Sequence, residues 1–189
     1  MNRIHRWLCR SDYWRKTVQQ RLPWILSNTN LGNHVLEIGP GPGVTTDLLR
    51  SSIERLTALE LDSHLADALR FRTQGMNVDV VTGNATSMPF PSAHFSSAVS
   101  FTMLHHVPSP QLQDRLLREV RRVLQPGGFF LGCDSLENWF MRVIHIGDTL
   151  VPVNPDTFAA RLEAAGLEVL EIKKNSAAFG FRARKPSSS

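Results

Sequence analysis

Cysteine is scarce in this sequence, and this scarcity excludes two classes of protein. The 189 residues contain only Cys9 and Cys133, which lie far apart and form no C-x-x-C pair. Their spacing predicts neither a disulfide framework nor a zinc site. Because disulfides persist in oxidising compartments and are rare in cytosolic proteins, this usage favours a reducing compartment, and we expect a cytoplasmic protein.

Long apolar runs are also missing. No run approaches the roughly 20 residues that span a bilayer, and the first residues lack the uninterrupted apolar core of a signal peptide. We therefore expect no transmembrane segment. The net charge of +4 is concentrated near the two ends of the chain, without one long basic tract, so nucleic acid is disfavoured as a partner. The length and the ordinary content of apolar and charged residues predict one globular domain.

Glycine and proline alternate in one stretch, residues 35–46, which reads VLEIGPGPGVTT. An apolar strand there runs directly into a turn that contains Gly39, Gly41 and Gly43. Glycine adopts positive φ readily and lets a ligand approach the backbone without meeting a Cβ atom. The two intervening prolines have no N–H group to donate to a phosphate. The stretch therefore predicts a binding turn for a small ligand that is not held through phosphates.

Two acidic residues belong to this predicted site. Glu37 lies in the first strand, and Glu60 lies 17 residues after the last glycine of the turn, at the end of the predicted strand 55–61. A carboxylate at that place can accept hydrogen bonds from both hydroxyls of a ribose. A dinucleotide fingerprint G-x-G-x-x-G that starts at Gly39 would require glycine where the chain has Val44. These features favour a cationic or zwitterionic nucleoside over NAD.

Short apolar runs alternate with helical periodicity over most of the chain, which predicts βαβ units and a parallel sheet. The helix that starts at Asp62 is expected to end at Gly75 and to bury a face formed by Leu65, Ala68, Leu69 and Phe71. A later helix is expected to end at 125–128, whose glycines suit a helix stop. The predicted strands after the second are 78–81, 95–101 and 129–133, followed by an antiparallel hairpin of 167–173 and 177–184.

The first 30 residues have a different pattern from the rest. Apolar residues at helical spacing alternate with arginines over 3–26, which predicts one amphipathic helix, or two that are separated near residues 11–12. We expect residues 1–30 to be a helical segment that caps the ligand site. Peripheral contact with a membrane surface, or with a partner, is an alternative. The main domain is predicted over 31–185, and a disordered tail over 186–189.

Five stretches of the chain together resemble a known family. They are VLEIGPGPG at 35–43, LELD at 59–62, GNA and MPF within 83–90, a strand followed by LHH at 95–106, and RRVLQPGG at 121–128. In this order they resemble the motifs of class I S-adenosylmethionine-dependent methyltransferases, of the small-molecule or ubiquinone-biosynthesis-like type.

The resemblance implies an α/β fold: a Rossmann-like three-layer α/β/α sandwich whose seven-stranded sheet is mostly parallel, with an antiparallel last strand. It implies S-adenosylmethionine as the cofactor. Asn84 and Ser97 occupy positions where the family usually has acids. The amide oxygen of Asn84 can still accept from the adenine amino group, so we expect retained cofactor binding. The residues that the resemblance assigns to the cofactor are Glu37, Gly39, Gly41, Gly43, Glu60, Leu61, Asn84, Ala85 and Phe101.

The family's reaction is an in-line attack on the sulfonium methyl group, from which a neutral thioether departs. Placement of the nucleophile is then the main requirement, and a base is needed only when the nucleophile begins protonated. His105 and His106 follow the fourth strand and are the candidate catalytic bases, although they could instead orient the turn or contact the cofactor. Asp134, Ser135 and Glu137 at the end of the fifth strand are further, weaker candidates. His145 is expected to be structural, and the spacing of the histidines predicts no metal site.

The predicted acceptor is a small, partly apolar molecule. The turn after the fourth strand lacks both the Asn/Asp-Pro-Pro-aromatic sequence of many amide and adenine N-methyltransferases and a cysteine nucleophile. The apolar segment 139–144 could roof an apolar pocket together with the N-terminal helix, or simply pack. Two other functions remain open at this point: a protein that binds the cofactor without turnover, and an NAD-dependent oxidoreductase.

Overall fold

A computed structural model of the chain describes residues 11–26 and 29–187, and the side chains of residues 12–14 and 140 are not described. Predictions for residues 1–10, 27–28 and 188–189 therefore lie outside the described residues.

The described residues form a single seven-stranded sheet. Its strands are β1 (His34–Ile38), β2 (Arg55–Glu60), β3 (Val78–Thr82), β4 (Phe95–Phe101), β5 (Leu124–Ser135), β6 (Glu168–Lys174) and β7 (Ala178–Arg184). Their order in the sheet is β3-β2-β1-β4-β5-β7-β6. The first five strands pair in parallel, and β7 is antiparallel to both of its neighbours. The predicted sheet, including its antiparallel last strand, is confirmed.

Helices cover both faces of the sheet. The described helices are α1 (Asp12–Leu26), α2 (Val44–Leu49), α3 (Ser63–Arg72), α4 (Pro110–Val123), α5 (Trp139–Ile144) and α6 (Pro155–Ala164). Side chains of α1, α2 and α3 form one buried cluster with Val35, while those of α4 and α6 form another with Leu36 and Ile38. Successive residues of a strand point to opposite faces, so β1 contributes to both cores. The predicted three-layer sandwich is thus confirmed.

Two helix predictions were wrong in detail. On α3, Leu69 is buried as predicted and Leu65 is half-buried. However, Phe71 is 83% exposed and Ala68 is exposed, whereas Ala66, which was not predicted to face the core, is buried. The side chain of Asp62 accepts hydrogen bonds from the first turn of α3, and the face that this helix buries lies about one residue away from the predicted one. Similarly, α4 ends at Val123, and the stretch expected to stop the helix already belongs to β5.

The apolar segment 139–144, which the sequence predicted either to roof a pocket or to pack, forms α5. Asn138 accepts a hydrogen bond from the N–H of Met141 and so caps this short helix. The closing hairpin and the helix that begins with Pro155 lie where they were predicted. None of the described helices combines the length and the hydropathy that a membrane crossing requires.

Candidate functional site

A cavity of about 760 Å³ opens at the carboxyl ends of the central strands. Residues that follow β1, β2, β3, β4 and β5 line it, and α1 and α5 contribute further side chains. Since β1 lies between β2 and β4, the strand order reverses at this point of the sheet, where open α/β sheets bind their ligands. The volume lies within the range of small-molecule sites. The position and size together identify this cavity as the candidate active site.

The three glycines of the turn have different roles, although all three have positive φ. A Cβ atom at Gly39 would overlap the side chain of Met103, and one at Gly43 would overlap Arg72 and Leu69. These two glycines therefore permit close packing. A Cβ atom at Gly41 would meet no atom within 4 Å. Gly39 and Gly41 both line the cavity, but only Gly41 has open space where a ligand could lie beside the backbone.

Glu60 joins the glycine turn to the end of β2. Its Oε2 accepts a hydrogen bond of 2.9 Å from the N–H of Gly41, and its Oε1 accepts one of 2.9 Å from the N–H of Asp62. Glu60 also lines the cavity. Each carboxylate oxygen can accept a second hydrogen bond, so both oxygens can still receive ribose hydroxyls. The open space at Gly41 and this fixed carboxylate fit a nucleoside cofactor.

Glu37 lies beneath the turn and is not among the residues that line the cavity. Its carboxylate accepts hydrogen bonds from the hydroxyls of Thr45 and Thr46, both in α2. Burial raises the pKa of Glu37 to about 7, and the two hydroxyls partly oppose this shift. These contacts connect β1 to α2 and so position the turn. Its predicted role as a direct cofactor contact stays a prediction.

The predicted adenine segment lines another part of the cavity. Leu61, Asn84, Ala85 and Phe101 all contribute to the lining, and Leu61 is 69% exposed at the rim. The Oδ1 atom of Asn84 already accepts hydrogen bonds of 2.9 Å from the backbone N–H and from the hydroxyl of Thr86. Both lone pairs of that oxygen are therefore in use, and the remaining amide nitrogen can only donate.

Arg72 contacts the glycine turn, a contact that sequence analysis missed. Its Nη2 donates to the carbonyl oxygens of Pro42 at 3.2 Å and Gly43 at 3.3 Å, and its Nη1 pairs with Asp47 at 2.5 Å. The only signal in the sequence was a basic residue in the last turn of α3, which is common and carries no information about the turn.

The opposite end of the cavity contains His105, which is 2% exposed. Its Nδ1 lies 2.5 Å from Oδ1 of Asp134, and its backbone N–H donates to Oδ2 at 3.2 Å. An ionised carboxylate can only accept, so we assign the proton to Nδ1 and a lone pair to Nε2. The half-buried His106 lines the cavity next to it. Both candidate bases therefore lie at the predicted site.

His145, predicted to be structural, lies beside these two histidines and also lines the cavity. Its ring centroid is 5.1 Å from that of His105 and 5.0 Å from that of His106. Its Nδ1 lies 2.7 Å from the carbonyl oxygen of Met141. Burial, as the largest cause, lowers the pKa of His145. The 38 residues between His106 and His145 gave no sequence signal for this cluster.

Helices α1 and α5 complete the lining, and the capping role of residues 1–30 stays a prediction. Thr17, Val18 and Arg21 contribute from α1, and Met141 and Ile144 from α5.

Next to this region, burial raises the pKa of the Cys133 thiol to about 12, so the thiolate that nucleophilic catalysis requires is not available there.

Residues 36–132, half of the chain, match the family described as "Methyltransferase domain". The chain belongs to this methyltransferase family. The resemblance inferred from the five motifs is thereby confirmed, and S-adenosylmethionine is the cofactor of the family.

Several curated relatives are similar to part of this chain. A Mycolicibacterium smegmatis protein named "Probable S-adenosylmethionine-dependent methyltransferase" is 32% identical over 127 residues, 66% of this chain and 46% of its own length. A fatty-acid O-methyltransferase of the same organism is 34% identical over 106 residues, 55% of this chain and 38% of its own. A protein of Haloarcula marismortui named "Probable ribosomal RNA small subunit methyltransferase A" is 33% identical over 112 residues, which are 57% of this chain and 38% of its own length. This chain thus spans less than half the length of these relatives.

A solved structure supports the fold assignment. The N-methyltransferase NodS from Bradyrhizobium japonicum WM9, in complex with S-adenosyl-L-homocysteine, superimposes with a TM-score of 0.73 at 19% identity, over 95% of this chain and 91% of that one. At this identity the likeness shows the fold alone.

Proposed function

We propose that this chain transfers the methyl group of S-adenosylmethionine to a small, partly apolar acceptor whose nucleophilic atom begins protonated. One observation carries the proposal. A single cavity has the open glycine turn and Glu60 at one end and the His105–Asp134 pair at the other. A cofactor site and a group able to take a proton therefore face the same space.

The cofactor-binding end has a defined task for each residue. When bound, S-adenosylmethionine supplies an electrophilic methyl group on a sulfonium sulfur. Gly41 leaves room for the ligand beside the backbone, and Glu60 accepts from the ribose hydroxyls while it holds the turn. Since the ligand carries a positive charge, the nearby carboxylates favour its binding.

The histidine end supplies the base. We propose that Nε2 of His105 accepts the proton of the acceptor's hydroxyl or amine as its oxygen or nitrogen attacks the methyl carbon. The buried Asp134 holds the imidazole in the required tautomer and stabilises the imidazolium that forms. His106 lines the same space and is the second candidate.

The acceptor class follows from the walls of the cavity near the histidines. Met103, Val107, Leu112, Met141 and Ile144 present apolar surface there. Such a wall favours an apolar body over a long charged polymer, and the similarity to a fatty-acid O-methyltransferase agrees with it. The similarity to a ribosomal RNA methyltransferase makes RNA the second candidate acceptor. We also propose the cytoplasm as the compartment, which the scarcity of cysteine supports.

The test is transfer of radiolabelled methyl from S-adenosylmethionine to fractions of a cell extract. We expect label in the organic-soluble, low-molecular-weight fraction and not in RNA. Label in RNA alone would contradict the small acceptor. Cofactor binding without label in any fraction would contradict catalysis and favour the non-catalytic binder. Calorimetry with NAD, which we expect not to bind, tests the oxidoreductase alternative.

Variants separate the two ends of the cavity. Gly41→Val should fill the ligand space and Glu60→Ala should remove the ribose contacts, so both should weaken cofactor binding measured by calorimetry.

His105→Asn keeps a donor toward Asp134 but removes Nε2, and should lower kcat about 10²- to 10⁴-fold with cofactor affinity unchanged. The exposed His64 provides a matched control, His64→Asn, with unchanged kcat. Equal kcat in His105→Asn and the native protein would exclude His105 as the base.

A further inference from the structure

The three histidines at one end of the cavity have a second chemical capacity. We propose that His105, His106 and His145 form a binding site for a divalent transition-metal ion of the Zn²⁺ or Co²⁺ type. One potential ligand nitrogen from each residue lies within 4.8 Å of those of the other two. The three residues come from the turn after β4 and from the end of α5, so the fold, and not a sequence motif, assembles the site.

The orientation of two of the rings suits metal binding. Nδ1 of His105 faces the carboxylate of Asp134, and Nδ1 of His145 faces the carbonyl oxygen of Met141. Both acceptors require the proton on Nδ1, which leaves the lone pair on Nε2. Metal-ligating histidines characteristically donate their second N–H to a carboxylate or to a backbone carbonyl. Both partners of this kind are therefore already in place.

The distances require only a small adjustment. A zinc ion with three nitrogen ligands at about 2.0–2.1 Å in tetrahedral geometry places those nitrogens roughly 3.3 Å apart. The observed separations of up to 4.8 Å would shorten by about 1.5 Å at most. Since His106 is half-buried, whereas His105 and His145 are buried, the ring of His106 has the most room to rotate toward the ion.

The number of ligands indicates what kind of site it is. Three protein ligands leave a fourth coordination position open, as in catalytic and not in structural zinc sites. Imidazole ligands favour zinc, cobalt, nickel and copper over magnesium and calcium. The open position would face the cavity that all three histidines line. An acceptor hydroxyl or a water molecule could occupy it.

This site does not depend on methyl transfer, because the binding of the ion can be measured by itself. The lone pair of His105 Nε2 can hold either a proton or the ion, so the metal-free protein is the form in which His105 would serve as the base. Assays of His105→Asn are therefore made after treatment with a chelator.

The test is a Co²⁺ titration of the full chain after removal of metals, followed by visible absorption, with Zn²⁺ calorimetry in parallel. We expect one ion per chain and the intense visible bands of four-coordinate Co²⁺. His106→Ala and His145→Ala should each weaken binding at least tenfold and remove the bands. Asp134→Asn, which alters the partner of His105, should weaken binding about 10- to 100-fold.

The pair His34 and His94 supplies the matched control. Their ring centroids are also 5.0 Å apart, but they lie outside the cavity lining, and Nε2 of His34 contacts the hydroxyl of Thr57. His94→Ala should bind Co²⁺ like the native protein. Stoichiometric binding that survives in His106→Ala and His145→Ala, or that is lost in His94→Ala, would contradict the site, as would no binding at all.

Folding of each variant is checked by circular dichroism and by S-adenosyl-L-homocysteine binding. If the buried His145 cannot be replaced, the half-buried His106 carries the test. Binding of S-adenosyl-L-homocysteine without binding of metal would overturn this inference and leave the proposed methyl transfer intact. Binding of metal without methyl transfer would support the metal site and contradict the proposed function.

Discussion

At the scale of single residues, chemically identical side chains in this site perform different tasks. Gly41 leaves open space in the cavity, whereas Gly39 and Gly43 permit contact with Met103 and Arg72. Glu60 lines the cavity, whereas Glu37 lies beneath the turn and accepts from two threonine hydroxyls. The residue type alone does not distinguish a ligand contact from a packing contact.

Asn84 is expected to limit cofactor affinity. Its only acceptor atom is used by Thr86, and the second atom of the amide can only donate. Asn84→Asp would keep the contacts with Thr86 and add an oxygen that can accept from the adenine amino group. A carboxylate there also attracts the positively charged ligand, because it adds a favourable Coulomb interaction. We expect a severalfold to tenfold tighter Kd for S-adenosylmethionine, measured by calorimetry. A weaker Kd would contradict the assignment of this segment to adenine.

Glu37 should make stability depend on pH. The folded-state pKa of about 7 lies above the ordinary value of 4.5, so the folded protein binds this proton more tightly than the unfolded chain. The resulting stabilisation is complete below about pH 4.5 and is lost as the pH rises through about 7. Its size is roughly 3 kcal/mol, at 1.36 kcal/mol per pKa unit.

Between pH 5 and pH 8, the unfolding free energy of the native protein should therefore fall by roughly 2–3 kcal/mol more than that of Glu37→Gln. Urea denaturation at the two pH values measures this difference. Glu54→Gln, at an exposed position, is the control and should leave the loss unchanged. The prediction fails if the two variants have the same pH dependence.

At the scale of elements, α3 holds the glycine turn from outside. Arg72 donates to the carbonyl groups of Pro42 and Gly43 and pairs with Asp47 in α2. The helix thereby fixes a turn whose glycines and missing N–H donors would otherwise leave it weakly constrained. The ligand site thus depends on an arginine that is distant in sequence from the turn.

Arg72→Ala should loosen the turn and weaken binding of S-adenosyl-L-homocysteine severalfold to tenfold in calorimetry. Arg70→Ala is a matched control, because Arg70 lies in the same helical turn but contacts Asp67 and the carbonyl oxygen of Val80. We expect Arg70→Ala to bind like the native protein. If both variants bind equally well, Arg72 does not position the turn.

The segment between β5 and α6 shows the same dependence on neighbouring elements. The sequence of this segment indicated apolar packing or a roof over a pocket, without a choice between the two. In the structure, Met141, Ile144 and His145 line the cavity, whereas Trp139 and Val143 are largely exposed. One short helix therefore contributes one side to the site, and only the tertiary structure determined which side.

At the scale of the whole molecule, the ligand cavity joins helices and sheet. Residues from α1, α5 and the ends of the central strands all line it. A ligand bound there contacts several elements at once. It should therefore stabilise the folded chain as a unit, to an extent set by its concentration relative to Kd.

We predict that S-adenosyl-L-homocysteine at 100 times its Kd stabilises the protein by about 2.7 kcal/mol. For a domain of this size, that corresponds to a rise in Tm of about 5–10 °C. Differential scanning fluorimetry measures the shift. NAD at the same concentration should leave Tm unchanged, and so should S-adenosyl-L-homocysteine with Gly41→Val. An equal shift with NAD would contradict the assigned cofactor.

Much of the fold followed from local patterns. The alternation of apolar runs with helical periodicity indicated the parallel sheet, because these periods reflect which face of each element is buried. The order of five motifs indicated the family and the cofactor. The end of α4 and the buried face of α3 could not be predicted from the sequence. Leu124 leaves the helix because it pairs with Phe95 in the sheet. Phe71 is exposed because tertiary packing buries a different face of α3.

The glycine turn, Glu60 and the predicted adenine segment were determined by the sequence itself, because each contacts the ligand space through residues that are adjacent along one strand end. The tertiary structure alone decided the other half of the site. It brought Asp134 to His105, placed His145 beside His105 and His106, and moved Glu37 out of the cavity lining. These arrangements join residues from different strand ends and helices. No local sequence pattern predicts them, because they depend on how distant segments pack together in the fold.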